Sequence, residues 1–375
     1  MDRVLHQILG LTDKGTVEQR CASLLVLGAL RLQSSEIIKT VGTMLEHANP
    51  VLKDYALRYF EQVQAKAATP LFVKLLDDPD RDIQERAVRL LSQAGAAAVD
   101  PLVKNSAGGS RSWQINAARI LCAVQGSSAR LALLEMLRAG NDDFNKSVCD
   151  LMTPAIRAMA VKEQALFYDE LEEYGKKLDE KQQRPALVSV IRLLGQLGRA
   201  DARRWLFKFI GPEHHPVLRS HALVALLRCL REQDLRKDEY AKLFPLLEEV
   251  EMTEVTRLAM ELLDKHELPD DSRWLLARLL ESRHPEVQKF ALRKMAGFGT
   301  PGTVRTLIEQ LGDTDYRRRD VAASSLRKMP EARTALIKEL LACEEPSKAW
   351  SIAELLASSE GKWRQDTLEA LWSRL

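Results

Sequence analysis

Few residues in this chain are spaced for chemistry. His214 and His215 form its histidine pair, and Pro216 directly after them ends any continuous helix through both. No second pair of ligands stands at metal-site spacing, so helix capping or a surface position is the expected role. The five cysteines, Cys21, Cys122, Cys149, Cys229 and Cys343, are far apart, lie in apolar stretches and include no CxxC. They read as reduced packing residues of a cytoplasmic protein rather than disulfide or metal groups. The run Asn105-Ser106-Ala107-Gly108-Gly109-Ser110 lacks the Lys-Ser/Thr of a phosphate loop and reads as a flexible turn. No cofactor, metal or catalytic set is expected from these residues.

What must position any functional side chain is a repeat. A small or apolar residue recurs at Cys21, Ala56, Ala87, Ala117, Val148, Val190, Ala222, Ala259, Ala291, Ala322 and Ala353, at a spacing near 31. Self-similarity at such a period marks a solenoid of stacked units. Four residues after the anchors stand Leu25, Phe60, Leu91, Leu121, Met152, Leu194, Leu226, Leu263, Met295 and Leu326. Four residues before them stand Val17, Leu52, Ile83, Trp113, Phe144, Leu218, Val255 and Val287. Positions −4, 0, +1 and +4 share one side of an α-helix, so each anchor is the middle of an amphipathic helix, here called helix B. That register makes Trp113 a core residue.

Pro50, Pro216 and Pro285 lie six residues before their anchors, where a first helical turn tolerates proline. Asn49 and Asp78 are placed as N-caps. Gly95, Gly126, Gly195 or Gly198, and Gly297 are placed as stops. A shorter apolar segment, such as Pro70 to Leu76, precedes each turn and is read as helix A. The chain is therefore expected to be all-α, a curved superhelix of about 10–11 helix-turn-helix repeats. The run from Leu76 to Ala87 (Leu-Asp-Asp-Pro-Asp-Arg-Asp-Ile-Gln-Glu-Arg-Ala) resembles the HEAT-repeat superfamily, in its short HEAT-like form of the phycobilisome-lyase type. The stretch from Leu311 to Ala322 resembles it too.

The resemblance implies a ladder between an Asp in the turn and an Arg six residues on. Asp313 with Arg319 has that spacing, Glu213 with Arg219 imitates it, and Asp78 with Gln84 is an amide version. Position −3 of helix B faces the buried side yet is polar, so it needs a hydrogen-bond partner. The register breaks most in a 42-residue gap between Val148 and Val190 rich in Glu and Lys, and again in the 37-residue gap before Ala259, which has its own charged insert, Arg231 to Asp238. That suggests an array over 1–160, a charged irregular junction over 161–185, and a second array over 186–375. A single unit with a lengthened helix A is the alternative.

Enzymes with this kind of repeat can be tested in turn. Deoxyhypusine hydroxylases bind iron through several His-Glu pairs, whereas this chain has one, His266-Glu267. No residue set marks a bilin site, so an accessory role beside a lyase-like enzyme rests on resemblance alone. The alkyl-purine DNA glycosylases use an electropositive face carrying Trp, Asp and Arg. Here 55 basic residues meet 53 acidic ones, which leaves no overall field for nucleic acid. No apolar run reaches the roughly 18 residues needed to cross a bilayer.

One polar feature repeats. At position +2 of helix B stand Arg58, Arg89 and Arg119 in consecutive units, with Arg293 at the same place later. If B helices line the concave side, these arginines form a stripe suited to carboxylate or phosphate. Glu61 and Glu85 are close enough to neutralise part of it. Further on, acidic residues 248–271 neighbour basic residues 283–328, an arrangement that pairs internally or meets a bipolar partner. The expected function is a non-catalytic scaffold or adaptor that grips a protein along the B face. A nucleic-acid backbone binder or repair glycosylase is the competing class.

Overall fold

Small residues at a helix centre let a second helix approach closely, and leucines one turn away fill the seam on either side. In the computed structural model, which describes residues 2–231 and 233–358, that logic builds helix pairs from end to end. The described residues contain α-helices, short 3-10 turns and loops, with no strand. Two compact units result, Met1–Arg199 and Ala200–Leu375.

The first unit pairs α1 (Asp2–Lys14) with α2 (Val17–Ala29), α3 (Ser35–Leu45) with α4 (Pro50–Val63), and α5 (Thr69–Lys74) with α6 (Arg81–Ala94). It continues with α7 (Val99–Asn105) and α8 (Arg111–Val124), α9 (Ser127–Ala139) and α10 (Asp142–Ala158), then α11 (Val161–Lys176) and α12 (Glu180–Leu197). The second unit pairs α13 (Arg203–Leu206) with α14 (Pro216–Cys229), α15 (Lys237–Leu243) with α16 (Glu254–Asp264), and α17 (Arg273–Leu279) with α18 (Pro285–Ala296). It ends with α19 (Pro301–Glu309) and α20 (Tyr316–Arg327), then α21 (Ala332–Ala342) and α22 (Pro346–Ser358). Even-numbered helices are the B helices, and each packs on the next within its unit.

Nine anchors from Ala56 to Ala322 are buried, as are their partners four residues on. The two end repeats depart from the expected register. In α2, Leu25 is 45% exposed and Leu24 is buried instead. In α22, Ala353 faces solvent while Ile352 is buried.

Helix starts follow the capping chemistry with one correction. Asn49 Oδ1 accepts from the Val51 N–H at 2.9 Å, ahead of Pro50 in the first turn of α4. The cap of α6 is Asp80, not Asp78: Asp80 Oδ1 accepts from the Asp82 N–H at 2.8 Å. Pro79 moves the start two residues on, because its ring disfavours helical backbone at Asp78. Gly95 and Gly198 end α6 and α12 at positive φ, where a side chain would be strained. Gly126, at positive φ just past the Gln125 cap of α8, also begins α9, and Gly297 keeps a right-handed φ of −66°.

The stretch 161–185 holds a regular helix. Along α11, Phe167, Tyr168 and Leu171 are buried, and the Tyr174 hydroxyl donates to the Leu134 carbonyl at 2.9 Å. Glu163, Glu173, Lys176 and Lys177 lie on the exposed side of this lengthened helix A, while Glu170 is turned toward Arg130 of α9. The unit division falls after Arg199, away from 161–185. Backbone bends at Gln183 (φ −126°, ψ 30°), two residues ahead of Pro185.

Candidate interaction surface

The B helices α4, α6 and α8 are neighbours in the first unit and place Arg58, Arg89 and Arg119 at equivalent positions. Arg89 is exposed, with Glu85 one turn away on the same helix. Arg58 Nε lies 3.0 Å from Asp54 Oδ2 one turn back, and its guanidinium sits 5.2 Å from the Tyr55 ring centre. Arg119 holds Glu85 of the preceding B helix with both terminal nitrogens, at 2.9 and 3.1 Å. That bidentate bond holds the Glu85 carboxyl below its ordinary value and raises the Arg119 guanidinium. In the second unit, Arg293 is paired with Asp264 of the preceding B helix. The face is thus a line of arginines interleaved with carboxylates, rather than a bare cationic stripe.

Glu61 has a different partner from the one its sequence neighbourhood suggests. It accepts from the Nε of buried Arg86 at 2.8 Å, while Asp54 takes the other side of that guanidinium. Arg86 clamps α4 to α6. Arg130 clamps α9 to α11 in the same way, through Glu170 at 2.7 and 2.9 Å. In the second unit Arg203 and Glu239 form a pair in which both side chains are almost fully buried. The sequence signal for these clamps was an arginine inside an apolar helical stripe, which periodicity alone scores as a break.

Several of the polar residues at position −3 find their partner in the main chain. Gln84 Nε2 donates to the Asp78 carbonyl at 2.6 Å, Gln288 Nε2 to the Ser282 carbonyl at 2.5 Å, and Arg319 Nη1 to the Asp313 carbonyl at 2.7 Å. Arg219 Nε reaches the Ile210 carbonyl at 3.0 Å and its far nitrogen pairs with Glu249. Each bond closes the A–B turn of its own unit. The carboxylates expected opposite them point elsewhere. Asp78 takes Lys53 Nζ at 2.6 Å, Asp313 takes Arg318 at 2.8 Å, and Glu213 lies 3.6 Å from His214. Lys53–Asp78 and Arg219–Glu249 thus join the Arg86, Arg119, Arg130 and Arg293 pairs as links between repeats, and none of them is an in-register Asp–Arg series.

Residues screened for chemistry are built into packing. The Trp113 indole is buried and donates to the Val73 carbonyl at 2.9 Å. His215 caps α14, its Nδ1 accepting from the Val217 N–H at 3.3 Å. Burial pushes the thiols of Cys122 and Cys229 up to about 12 and that of Cys149 to about 11, far from the reactive thiolate range. Among the described residues, no group of three or more His, Cys, Asp or Glu is placed to hold a metal ion. No described helix is long and apolar enough to cross a membrane.

His266 is buried, and Lys294 Nζ donates to its carbonyl at 3.0 Å. Burial lowers its imidazole below the ordinary 6.5; Lys294 and Arg203 lower it further, against opposing contributions from Asp234 and Glu239. The unfolded chain then binds the proton more tightly than the folded one. The second unit is expected to keep full stability above pH 6.5 and to lose some as pH falls below it. Urea midpoints between pH 7.5 and 5.5 check this, and His266→Gln should flatten the slope.

Residues 272–372 match the family model for HEAT repeats. No curated protein matches the chain. Among solved structures, the chain is similar to a mutant of Kap121p at 14% identity, over 97% of this chain and 44% of that one, with a TM-score of 0.50. It is also similar to Kap121p bound to RanGTP, at 14% identity over 94% and 45% with a TM-score of 0.47, and to an engineered protein, at 18% identity over 94% and 99% with a TM-score of 0.34. The chain spans under half the length of Kap121p. Likeness at such identities speaks to fold alone. The chain is an all-α solenoid, with HEAT repeats matched over residues 272–372.

Proposed function

We propose that this chain is a non-catalytic protein-interaction scaffold, using the exposed B-helix face of its first unit to bind an acidic or bipolar segment of a partner. The observation that carries the reading is the repetition of Arg58, Arg89 and Arg119 on three successive packed helices. Neighbouring helices lie roughly 8–10 Å apart, so the three guanidiniums meet an extended ligand at regular intervals. Their interleaved carboxylates, Asp54 and Glu85, suit a partner carrying both signs better than a uniform phosphate backbone. Arg293 with Asp264 repeats the motif in the second unit. Likeness of its repeats to the phycobilisome-lyase type belongs to this proposal, as does a cytoplasmic setting.

The test is the triple change Arg58→Glu, Arg89→Glu and Arg119→Glu. Partner capture from native extract should fall at least about tenfold, while helicity holds, since surface changes usually stay within about 0.5 kcal/mol each. Undiminished capture would remove the arginines from the site. Titration with a labelled DNA duplex separates the competing class: phosphate binding would weaken by about 0.9 log units per log salt for each contact. The scaffold reading expects no saturable duplex binding.

A further inference from the structure

On the A-helix side of the first unit, α7 and α9 enclose a cavity of about 620 Å³ whose floor is α8 and Phe144 of α10. It arises from helix length. The glycine-rich run after Asn105 stops α7 after seven residues, whereas α9 runs for thirteen, so one face of α9 lacks a full neighbour. That face is Ser128, Leu131, Ala132, Glu135, Met136 and Ala139. Their spacing of i, i+3, i+4, i+7, i+8 and i+11 is one continuous helical stripe about 16 Å long. Across from it, Val99, Leu102 and Val103 supply the second apolar wall. Leu131 and Val103 are 48% and 49% exposed.

Two further observations bear on the occupant. In the neighbouring α6, Gln84 closes its own turn, whereas Gln114 at the same repeat position lines this cavity and brings an amide to an apolar floor. The charged lining residues are Asp100 on one wall and Glu135 on the other, with no Lys, Arg or His among them. Glu135 makes a loose 3.8 Å contact with exposed Arg138. Arg111, close by, is engaged over the Phe144 ring at 4.6 Å.

We propose that this groove takes one amphipathic helix of a partner protein, with apolar residues at i, i+3 or i+4, and i+7 against the floor and Lys or Arg at its edges. A helix laid between two helix walls is the geometry that covers both Leu131 and Val103 along the whole stripe. A small molecule filling the floor would leave both rims in water. The two carboxylates select the basic edges. The inference rests on the scaffold reading of the chain but uses the opposite helix layer from the arginine face.

The test selects a displayed library of 14-residue helical peptides against the full chain. Enriched sequences should combine the i, i+3 or i+4, i+7 apolar spacing with flanking Lys or Arg. Their affinity should fall at least about tenfold in the Leu131→Arg, Val103→Arg double variant. Asp100→Lys with Glu135→Lys should turn the preference toward acidic edges, and circular dichroism shows that each variant folds. Binders of unrelated spacing, binders unaffected by the double variant, or no saturable binder at all would overturn the proposal. So would small apolar molecules that occupy the groove while helical peptides do not. The Arg58→Glu, Arg89→Glu, Arg119→Glu variant should retain groove binding, so failure of the arginine site and failure of the groove give different results.

Discussion

Replacing Arg203 with alanine is expected to destabilise the second unit by about 3–5 kcal/mol, because it strands a buried charge. Arg203 Nε donates to Glu239 Oε1 at 2.7 Å and its Nη2 is shared between Glu239 and the Asp234 carbonyl at 3.0 Å. Both partners are buried. Without the guanidinium, the Glu239 carboxylate keeps the Arg236 N–H at 2.7 Å and loses its counter-charge. Removing both charges should cost much less than removing one. Arg203→Met with Glu239→Leu is expected to recover most of the loss, since apolar groups of similar volume often replace a buried pair at little cost. Urea unfolding of the single and double variants checks the order, and equal losses would show that the pair is not the source.

The second large effect belongs to the first unit. Phe60 lies four residues after the Ala56 anchor, is fully buried, and meets the Tyr59 and Phe72 rings edge-on at 5.0 and 5.1 Å. Phe60→Ala removes the side chain that fills the seam between α4 and α5. The expected cost is about 3–5 kcal/mol, from lost transfer energy plus the cavity left behind. Phe60→Leu should cost a fraction of that, because most of the volume is kept. Thermal melts of the two variants separate cavity formation from any general intolerance of this position.

Where periodicity had neighbours on both sides, the sequence was readable. Ala87 and Leu91 face the core because the repeats on either side of α6 leave them no other direction. In the first and last described repeats the register differs by one residue, so Leu25 and Ala353 turn outward while Leu24 and Ile352 are buried. The charged run after Val161 looked irregular because composition masks the period. Phe167 and Leu171 carry the buried stripe of α11 beneath a solvated face of Glu and Lys. The polar residues at position −3 were legible as needing partners, yet Gln84 and Arg319 satisfy main-chain carbonyls that no side-chain pattern displays.

The arginines were legible as a repeated position, and their neutralisation only in part. Arg119 meets Glu85 across a helix seam 34 residues away in sequence, a pairing set by three-dimensional register. The groove beside α9 was missed altogether. Leu131 and Met136 look like ordinary core residues until the shortness of α7 leaves them uncovered.

Residue-resolved hydrogen exchange on the native chain and on Phe60→Ala tests the account most directly, because modules that lean on their neighbours transmit damage only locally. Amides of α2 to α6 should lose protection in the variant while those of α14 to α20 keep theirs. A uniform loss of protection over every helix would contradict a chain built from stacked two-helix modules.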